Sequence, residues 1–367
     1  MDEQQPVNIP WTRSDGPDFR VLQISKVRMN PYVQLLQEAL REAGVSCSIA
    51  DGLSPRLARV WRGTVDVLHL HWLELLYASS NFARSLRLLV AVLAGLVWAK
   101  AGGCKVVYTV HNLNPHEQAF PLLNHIANQA VFALADALHV HDEEAQQVVA
   151  RTYGRRDRVY VIPHGSYIGA YPNNCTTEEA RTRLGLEDNA FVYLYLGQVR
   201  RYKGIEDLVA AFCQLADDTS QLVIAGNVHD PVYADKLAQL TQGRSGIHTW
   251  LQYVPDSELQ CFMNASDVCV LPYRHVTTSG AAILAFSFGK PIIAPRLGAF
   301  NELAAGGRGI VYNPAASDGL LRALQQARCG DMAEAGRKAL AWAREHEWST
   351  LVPEFARIYS DVLTVKK

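Results

Sequence analysis

Short apolar runs alternate with longer amphipathic stretches along most of the chain. Runs such as Val65–His71 and Phe191–Leu196 are apolar at nearly every position, which is typical of strands buried on both faces. In the stretches between such runs, apolar residues recur every three to four positions, and this spacing predicts helices. Strands that alternate with helices form parallel sheets covered by helices on both faces. The pattern therefore predicts an α/β protein.

The same pattern locates the remaining elements. In the first half it predicts strands at Arg20–Ile24, Ser46–Ile49, Lys105–His111, Ala137–His141 and Val159–Ile162, and helices at Pro31–Ala43, Phe82–Ala101, Pro121–Leu134 and Glu143–Tyr153. In the second half it predicts strands at Gln221–Ala225, Val268–Leu271, Pro291–Ala294 and Gly309–Tyr312, and helices at Ile205–Ala216, Val232–Leu240, Ser257–Asn264, Ala281–Phe288 and Gly319–Ala327.

The alternation breaks once, at Pro163–Asn174 (PHGSYIGAYPNN). This stretch contains Pro, Gly and Asn without an apolar period, so it is predicted to be a linker between domains. We therefore predict two doubly wound, Rossmann-like domains over 19–165 and 166–345, preceded by a flexible tail over 1–18. Ligands of such domains bind at the carboxyl ends of the parallel strands, which we expect to face a shared cleft.

Composition and charge narrow the classes of partner. The formal net charge of the 367 residues is −1, so no global basic field favours nucleic acid. The seven cysteines are scattered, odd in number and without a C-x-x-C pair. We interpret them as reduced thiols of a cytoplasmic protein, not as a disulfide framework or a zinc site. The polar stretch 1–18 lacks the apolar core of a signal peptide.

The most apolar segment is Leu86–Ala99 (LRLLVAVLAGLVWA), which is short for a bilayer span. One interpretation is a buried helix of the α/β sandwich. The other is a helix lying on an anionic membrane surface, with Trp98 and the basic residues Arg84, Arg87 and Lys100 at the interface. Both interpretations stay open, and the second predicts peripheral membrane contact through 84–100.

Two strand-to-helix turns in the second half have the composition of phosphate sites. The first (LGQVRRYKGIEDLVAAF) carries Arg200, Arg201 and Lys203, and Gly204 opens the helix that follows. Cations and backbone N–H groups at such a turn suit a diphosphate. A solvated basic loop is the alternative.

The second turn lies in the segment YRHVTTSGAAILAFSFGKP. Thr277, Thr278 and Ser279 lead into Gly280, which starts a helix of small residues. Hydroxyl and amide groups at a helix N-terminus can bind a phosphate. The alternative is an ordinary capped helix, because Ser and Thr are preferred caps in any case. Two such turns in one domain strengthen the prediction of a diphosphate ligand.

These segments belong to an ordered series: VIPHG, LGQVRRYKG, LVIAGN, YVPDSELQCFMNASDVCVLPY, TTSGAAILAFSFGKPIIAP and RGIVYNP. In order and spacing the series resembles the nucleotide-sugar domain of the GT4-like glycosyltransferases, the glycosyl transferases group 1. The first half resembles them more loosely, through VLHLHW, TVHNLNPHE and ALHVHDEEA. The resemblance implies a GT-B fold, a nucleotide-sugar donor on the second domain and an acceptor on the first. It also implies that the C-terminal helix, within 346–367, crosses back to the first domain.

Two positions depart from the family pattern. The arginine usually found after the strand is replaced by Gln198, and the two glutamates spaced E-x7-E are replaced by Thr277 and Ala285. These departures indicate a divergent branch of the bacterial exopolysaccharide or glycolipid type, for which an inverting reaction is slightly favoured over the usual retaining one. The expected donor-binding residues are Gln198, Arg200, Arg201, Lys203, Thr277, Thr278, Ser279 and Gly280.

Transfer requires neutralisation of the leaving diphosphate, and Arg200 and Lys203 are the expected catalytic cations. No D-x-D motif occurs anywhere in the chain, so we expect metal-independent transfer and no cofactor. An inverting enzyme also needs a base, for which His111 and Glu117 are the candidates at the end of a predicted strand. For any one histidine, a structural hydrogen-bonding role is the more common alternative.

The acceptor is expected at neighbouring strand ends of the first domain. The candidate acceptor-binding residues are Asn30, Tyr32, His71, Trp72 and Glu74. For the first two, the alternative is a helix start with Pro31 at its first position.

The resulting hypothesis is a hexosyltransferase. It would move a sugar from GDP-mannose or a UDP-sugar to a lipid-linked or polysaccharide-precursor acceptor at the inner face of the membrane. Another enzyme on the same fold, such as a nucleotide-sugar epimerase or a phosphorylase, and a non-catalytic nucleotide-binding protein remain the alternatives. A dinucleotide oxidoreductase is disfavoured, because no G-x-G-x-x-G follows any predicted strand.

Overall fold

The computed structural model describes residues 19–27, 30–111, 120–215, 217–276 and 278–364. They form two compact units, one containing the described residues through Pro163 together with those from Trp348, and the other spanning His164–Glu347. These limits differ by about two residues from the predicted domain boundaries. The predicted tail over 1–18 lies outside the described residues.

The first unit is built on one parallel sheet. Its strands are β1 (Arg20–Ile24), β2 (Ser46–Ala50), β3 (Val67–His71), β4 (Lys105–Thr109), β5 (Ala137–Val140) and β6 (Val159–Val161). Its helices before the linker are α1 (Tyr32–Glu42), α2 (Pro55–Val60), α3 (Leu73–Tyr77), α4 (Phe82–Ala101), α5 (Pro121–Leu134) and α6 (Glu143–Tyr153). The strand order β2-β1-β3-β4-β5-β6 reverses direction after β1, as in a doubly wound sheet.

Alternate residues of each strand enter two separate cores. On β3, Leu68 and Leu70 pack with helices α2 to α6, whereas Val67 packs with α1 on the other face. This alternation follows from the two-residue period of a strand. It decides the position of the polar side chains as well, because His69 and His71 share the face of Val67.

The second unit repeats the architecture. Its strands are β7 (Phe191–Leu196), β8 (Ser220–Ala225), β9 (Ile247–Trp250), β10 (Val268–Val270), β11 (Ile292–Pro295) and β12 (Gly309–Tyr312), in the order β12-β11-β10-β7-β8-β9. Its helices are α7 (Thr177–Leu184), α8 (Ile205–Gln214), α9 (Pro231–Thr241), α10 (Leu259–Ala265), α11 (Gly280–Ser287), α12 (Phe300–Ala304), α13 (Gly319–Cys329) and α14 (Met332–Glu345).

The last helix, α15 (Trp348–Thr364), packs on the first unit although it follows the second in sequence. Its residues Phe355, Ile358 and Val362 are fully buried in the same core as Val67 of β3 and Leu36 of α1. The helix is amphipathic, and burial of its apolar face against the sheet supplies its main stabilisation.

Every helix and strand predicted from the pattern is present, with ends displaced by a few residues. The elements not predicted are β9, α2, α3, α7, α12 and α14. A sequence signal did exist for α7, whose Thr176 and Glu179 form a capping box of the T-x-x-E type. Edge strand β9 has partly exposed residues throughout and therefore lacks the apolar run of the inner strands.

Candidate functional site

The first phosphate-type turn, Gly197–Gly204, connects β7 to α8. Gly197 and Gly226 follow the paired strands β7 and β8, and a Cβ on Gly226 would lie 1.7 Å from the carbonyl oxygen of Gly197. Gly204 has a φ of 69°, and a Cβ there would lie 2.0 Å from the carbonyl oxygen of Pro272. Only glycine allows such close approaches of backbone atoms. They pack the turn against the end of β8 and against Pro272.

The second turn, Pro272–Gly280, connects β10 to α11 and is bonded to the first. The backbone N–H of Arg274 donates to the carbonyl oxygen of Tyr202 at 2.8 Å. The guanidinium of Arg274 donates to both carboxylate oxygens of Asp207 in α8, each at 3.0 Å. Two turns recognised separately in the sequence therefore form one site, which we call the two-turn site.

Lys203 is the enclosed cation of the two-turn site. Its ammonium lies 3.4 Å from the ring centroid of Tyr273 and 5.0 Å from that of Tyr202. Burial, reinforced by the charge of Arg200, lowers the pKa of Lys203 to about 7. Among the residues that the structure describes, Lys203 forms no ion pair. A cation held by aromatic rings without a carboxylate suits a ligand that brings its own negative charge.

The other two cations of the first turn have different partners. Nε of Arg200 donates to Oε1 of Gln198 at 3.0 Å, so Gln198 orients the guanidinium. Arg201 instead pairs with the carboxylate of Asp230 at 2.9 Å, and its guanidinium lies 4.9 Å from the ring centroid of Tyr233. Donor binding stays a prediction for Gln198, Arg200 and Arg201, and the geometry favours Arg200 over Arg201 as the second cation beside Lys203.

The hydroxyl-rich part of the second turn caps α11. The Ser279 hydroxyl accepts from the backbone N–H of Ala282 at 3.3 Å, so the capping interpretation of this residue is confirmed. Thr278 is half-buried, Gly280 begins the helix, and Thr277 lies outside the described residues. Ala285, at the position of the second glutamate in the family that the sequence resembles, is fully buried in α11. Donor binding by these residues stays a prediction, with backbone N–H groups as the available donors.

In the first unit, a chain of buried hydrogen bonds crosses the sheet beneath α15. The side chains of His69, Thr109 and His139 lie on the neighbouring strands β3, β4 and β5, and all three are fully buried. Nδ1 of His69 lies 2.8 Å from the hydroxyl of Tyr359, and Nε2 lies 2.7 Å from Oγ1 of Thr109. Oγ1 of Thr109 lies 2.9 Å from Nδ1 of His139, whose Nε2 lies 2.9 Å from the carbonyl oxygen of Ile162.

The carbonyl oxygen at one end fixes the direction of this buried chain. A carbonyl can only accept, so Nε2 of His139 carries a proton and Nδ1 accepts from the hydroxyl of Thr109. Thr109 then accepts from Nε2 of His69, and Nδ1 of His69 accepts from Tyr359. Burial lowers the pKa of His69 well below its usual value, which agrees with a neutral ring. His69 and His139 therefore have a structural role.

Three further histidines form a second row, closer to the carboxyl ends of the strands. Nδ1 of His71 lies 3.1 Å from Nε2 of His111, and Nδ1 of His111 lies 3.4 Å from Nε2 of His141. We call these three residues the histidine row. Both ring nitrogens of His111 face other imidazoles, so His111 has no ring nitrogen turned towards a substrate. A direct role as base is therefore not supported for His111, although its catalytic role stays a prediction.

His71 is the fully buried end of the histidine row. Burial, followed by the charges that His139 and His141 would carry, lowers the pKa of His71 well below its usual value. Its Nε2 has no hydrogen-bond partner within the described ranges. Nε2 of His71 is therefore a buried ring nitrogen whose hydrogen-bonding capacity is unused within this part of the structure.

Trp72 fixes the central ring of the row. Its indole stacks on His111 with ring centroids 3.7 Å apart and an angle of 5° between the planes. Trp72 itself has a φ of 43°, in the left-handed region that a bulky side chain rarely adopts. Such strain persists where surrounding contacts hold it, and it is concentrated at functional sites.

The remaining acceptor candidates differ in exposure. Tyr32 is fully buried, and its ring meets His71, His111 and Trp72 edge-on. Asn30 accepts from the backbone N–H of Tyr32 at 2.9 Å, which supports a helix-start role. Glu74, in α3, is half-buried. Acceptor contact by these residues stays a prediction.

Glu117, the other base candidate, lies outside the described residues. In the part of the chain that the structure describes, no group of three or more His, Cys, Asp or Glu could hold a metal ion. The expectation of metal-independent transfer is untested by that observation.

Sequence reasoning missed three contributors to the two-turn site. Tyr202 and Tyr273 contact the ammonium of Lys203, and Arg274 connects the two turns. Aromatic residues are common in ordinary cores, so the residue type alone gives no signal. The interaction becomes visible only when β7 and β10 are known to be neighbours.

Comparison with known proteins finds similarity to glycosyltransferases. Residues 190–328 match the family model described as "Glycosyl transferases group 1", a range that includes both turns of the two-turn site. A GDP-mannose:glycolipid 4-beta-D-mannosyltransferase of Xanthomonas campestris pv. campestris is 28% identical over 295 residues, covering 78% of this chain and 77% of that protein. D-inositol 3-phosphate glycosyltransferase 1 of Catenulispora acidiphila is 29% identical, covering 73% and 69%.

Solved structures share the fold over nearly the whole chain. Sucrose-phosphate synthase from Thermosynechococcus elongatus superposes with a TM-score of 0.76 at 18% identity, covering 95% of this chain and 100% of the other. Anabaena HepE in complex with UDP gives a TM-score of 0.71 at 16% identity, covering 94% and 100%.

Proposed function

We propose that this chain, a hexosyltransferase of the glycosyl transferases group 1 with the GT-B fold, moves mannose from GDP-mannose to a lipid-linked acceptor. The Xanthomonas relative is named for GDP-mannose and a glycolipid, which supports this choice of donor and acceptor class. A UDP-sugar donor and a polysaccharide-precursor acceptor are the competing possibilities. A nucleotide-binding protein without catalysis is disfavoured, because the relatives are named as transferases.

The two-turn site carries the proposal. Lys203 holds its ammonium against Tyr273 without a carboxylate partner among the described residues, and Arg200 lies in the same turn. A nucleoside diphosphate supplies the missing negative charge there. As the bond to the sugar breaks, charge accumulates on the diphosphate, and both cations stabilise it.

Metal-independent transfer follows as part of the proposal. The acidic residues nearest the first turn already form ion pairs, since Asp207 binds Arg274 and Asp230 binds Arg201. Magnesium would need free carboxylates or waters alongside the phosphates. Protein cations therefore take the place of a metal in neutralising the leaving group.

The histidine row supports a base for an inverting reaction. Glu117 and the histidine row are the candidates for the base that must take the proton of the acceptor hydroxyl. Nε2 of His71 is an unpaired ring nitrogen of that row within the described residues, but it is buried, so the acceptor hydroxyl or a water has to reach it before it can take a proton. The beta linkage in the name of the Xanthomonas relative is the product that inversion of an alpha-linked donor gives.

We further propose that the protein works in the cytoplasm at the inner face of the membrane, in peripheral contact with it through 84–100. All seven cysteines are free thiols, which suits a reducing compartment. A lipid-linked acceptor lies at a membrane surface, and helix α4 is long and apolar enough to interact with one.

A donor panel tests the proposal. The purified protein is incubated with a lipid-linked oligosaccharide acceptor and labelled GDP-mannose, UDP-glucose or UDP-glucuronic acid, with magnesium or with EDTA. We expect transfer from GDP-mannose only, unchanged by EDTA, and a product whose anomeric carbon–hydrogen coupling identifies a beta linkage. Transfer from a UDP-sugar alone would refute the donor, dependence on magnesium would refute metal independence, and an alpha linkage would refute inversion.

A further inference from the structure

Helices α2, α4 and α5 cover one face of the sheet of the first unit, and their outer surface is unusually apolar. On α4, Phe82, Leu86, Val90 and Val97 recur at helical spacing, and each is more than two-fifths exposed. Leu122 and Ile126 of α5 are also exposed, at 72% and 48% of their surface. The rings of Phe82 and Phe120 meet at 5.2 Å, which joins the stripe on α4 to the start of α5.

This surface does not belong to a membrane-spanning helix. Although α4 is long and apolar enough to cross a bilayer, its other side is buried in the core of the first unit. Leu89, Val92 and Leu96 lie in that core with the strands. A helix fixed in this way to a sheet lies along a surface, and only its outer stripe is available to a partner.

The charged side chains on these three helices have one sign. Helices α2, α4 and α5 contain no Asp or Glu. Arginines flank the stripe near both ends of α4, and they have no ion-pair partner within the described residues: Arg56, Arg59, Arg62, Arg84 and Arg87. Lys100 is the exception, since it binds Asp136 at 2.7 Å.

Arg59 of α2 and Arg62, just after that helix, lie along the C-terminal half of α4. The guanidinium of Arg59 lies 5.5 Å from the ring centroid of Trp98, which is itself 48% exposed. The stem of Arg62 passes the last turn of α4, since a Cβ on Gly102 would lie 3.3 Å from its Cγ. An amphipathic aromatic ring and basic groups at the margin of an apolar stripe are the features of an interfacial helix.

We propose that the outer surface of α2, α4 and α5 docks on a bilayer rich in anionic phospholipid. The apolar stripe of α4, with Leu122 and Ile126, enters the boundary between headgroups and acyl chains. The phosphates of the acidic headgroups are bound by Arg56, Arg59, Arg62, Arg84 and Arg87. This inference names the lipid partner of the membrane contact proposed above and rests on that proposal for its purpose, which is to bring the enzyme to a lipid-linked acceptor.

The proposed docking surface does not extend to the neighbouring helix α6. Helix α6 covers the same face of the sheet but begins with Glu143 and Glu144, and its exposed side is polar. The docking surface therefore ends at α5. Each arginine within a Debye length of an anionic surface strengthens binding by about fivefold, so reversing two arginines removes most of the electrostatic attraction.

Vesicle flotation tests the inference with the full chain. The probes are phosphatidylcholine vesicles and vesicles containing about one-third phosphatidylglycerol, at low and high salt. We expect binding to the anionic vesicles only, weakened by salt. The charge-reversal variant Arg84→Glu/Arg87→Glu should bind at least about 25-fold more weakly, and Leu86→Ser/Val90→Ser should also lose binding. The control Arg151→Glu/Arg156→Glu makes the same change in net charge at exposed sites on and just after α6 and should float like the wild type.

Other outcomes overturn the inference. Wild-type protein that ignores anionic vesicles, or an Arg84→Glu/Arg87→Glu variant that floats normally, excludes docking through this surface. A dimer in solution that Leu86→Ser/Val90→Ser converts to monomer would show that a second copy covers the stripe. Transfer to a short-chain, water-soluble acceptor is measured in parallel, because it tests the proposed function separately: transfer without flotation refutes docking alone, and flotation without transfer refutes the reaction alone.

Discussion

At the scale of single residues, the protonation state of Lys203 determines how strongly the two-turn site binds an anion. Its burial among Tyr202 and Tyr273 penalises the charged form, and its pKa falls to about 7. A bound diphosphate favours the charged form and raises the pKa again. Binding of a nucleoside diphosphate is therefore coupled to uptake of a proton whenever the free lysine is neutral.

This coupling predicts a pH dependence of nucleotide affinity. The lysine is mostly charged well below its pKa of about 7, so its protonation should change the affinity for GDP little at the acid end of the range. Above pH 7 the affinity should fall by up to about tenfold per pH unit until the pKa of the complex is reached. Calorimetry between pH 6 and 9 in buffers of different ionisation enthalpy measures both the affinity and the proton uptake. A Lys203→Arg control, always charged, should lack both the fall in affinity above pH 7 and the proton uptake there, and a level wild-type profile between pH 7 and 9 would contradict the prediction.

Gly204 is the second residue whose contribution to the two-turn site can be tested by a single substitution. It needs both a positive φ and the absence of a side chain, since a Cβ would lie 2.0 Å from the carbonyl oxygen of Pro272. Gly185 has a similar φ of 64° but nothing within 4 Å of its would-be Cβ. Alanine substitutions at Gly204 and Gly185 therefore separate the cost of a positive φ from the cost of steric overlap.

We expect Gly185→Ala to cost about 1–2 kcal/mol of unfolding free energy through its left-handed backbone alone. Gly204→Ala should cost more and should also abolish binding of GDP, because the two turns are forced apart. Urea unfolding and calorimetry on both variants check this. Equal destabilisation by the two substitutions, with GDP binding intact, would show that the turns do not depend on their close approach.

How much of the site was predictable varies with residue type. Lys203, Arg200 and Ser279 could be identified because cations and hydroxyls at strand-to-helix turns are typical of phosphate-binding sites. Tyr273 as a support for Lys203 could not, since the two residues are far apart in sequence and meet through the pairing of β7 with β10. Local composition identifies ligand-binding groups, but it does not reveal the packing that tunes them.

At the scale of elements, α15 is held to the first unit by polar contacts as well as by its apolar face. The hydroxyl of Tyr359 donates to Nδ1 of His69 inside the core. Nearer the surface, the hydroxyl of Tyr160 in β6 donates to a carboxylate oxygen of Asp361 in α15 at 2.9 Å. The first contact starts the buried chain that ends at Ile162, so it also fixes the rings of His69 and His139.

These two contacts should differ in their contribution to stability. Tyr359→Phe leaves buried Nδ1 of His69 without its donor and should cost about 1–3 kcal/mol of unfolding free energy. Tyr160→Phe removes a partly exposed bond that water can replace, and it should cost about 1 kcal/mol or less. Chemical denaturation of the two variants compares them. A larger loss for Tyr160→Phe would mean that the buried chain adds nothing to the docking of α15.

The fold was largely predictable at this scale. Inner strands such as β3 and β7 are continuously apolar because both faces are covered, and helices such as α4 to α6 show their period clearly. Short or marginal elements escaped prediction: α3 is a single turn after the strained Trp72, and β9 is a half-exposed edge strand. Tertiary contacts stabilise such elements, and a local pattern does not contain those contacts.

At the scale of the whole molecule, the two units have the same architecture but carry different polar side chains at their strand ends. The second unit concentrates cations and glycines at adjacent strand ends, and the family match over 190–328 falls within it. The first unit carries the histidine row at its strand ends and the apolar, arginine-flanked surface on its outer helices. Donor chemistry and acceptor chemistry are therefore expected from different units.

Calorimetric titration of GDP and UDP, with magnesium or EDTA, into the wild type and Lys203→Ala is the decisive test of the donor site. Lys338→Ala serves as control, since Lys338 is an exposed lysine of α14 in the same unit. We predict micromolar binding of GDP, unchanged by EDTA and by Lys338→Ala, and weakened at least about tenfold by Lys203→Ala, as expected for loss of a charged hydrogen bond. Absence of binding by either nucleotide, or equal binding to Lys203→Ala, would contradict the assignment of the two-turn site.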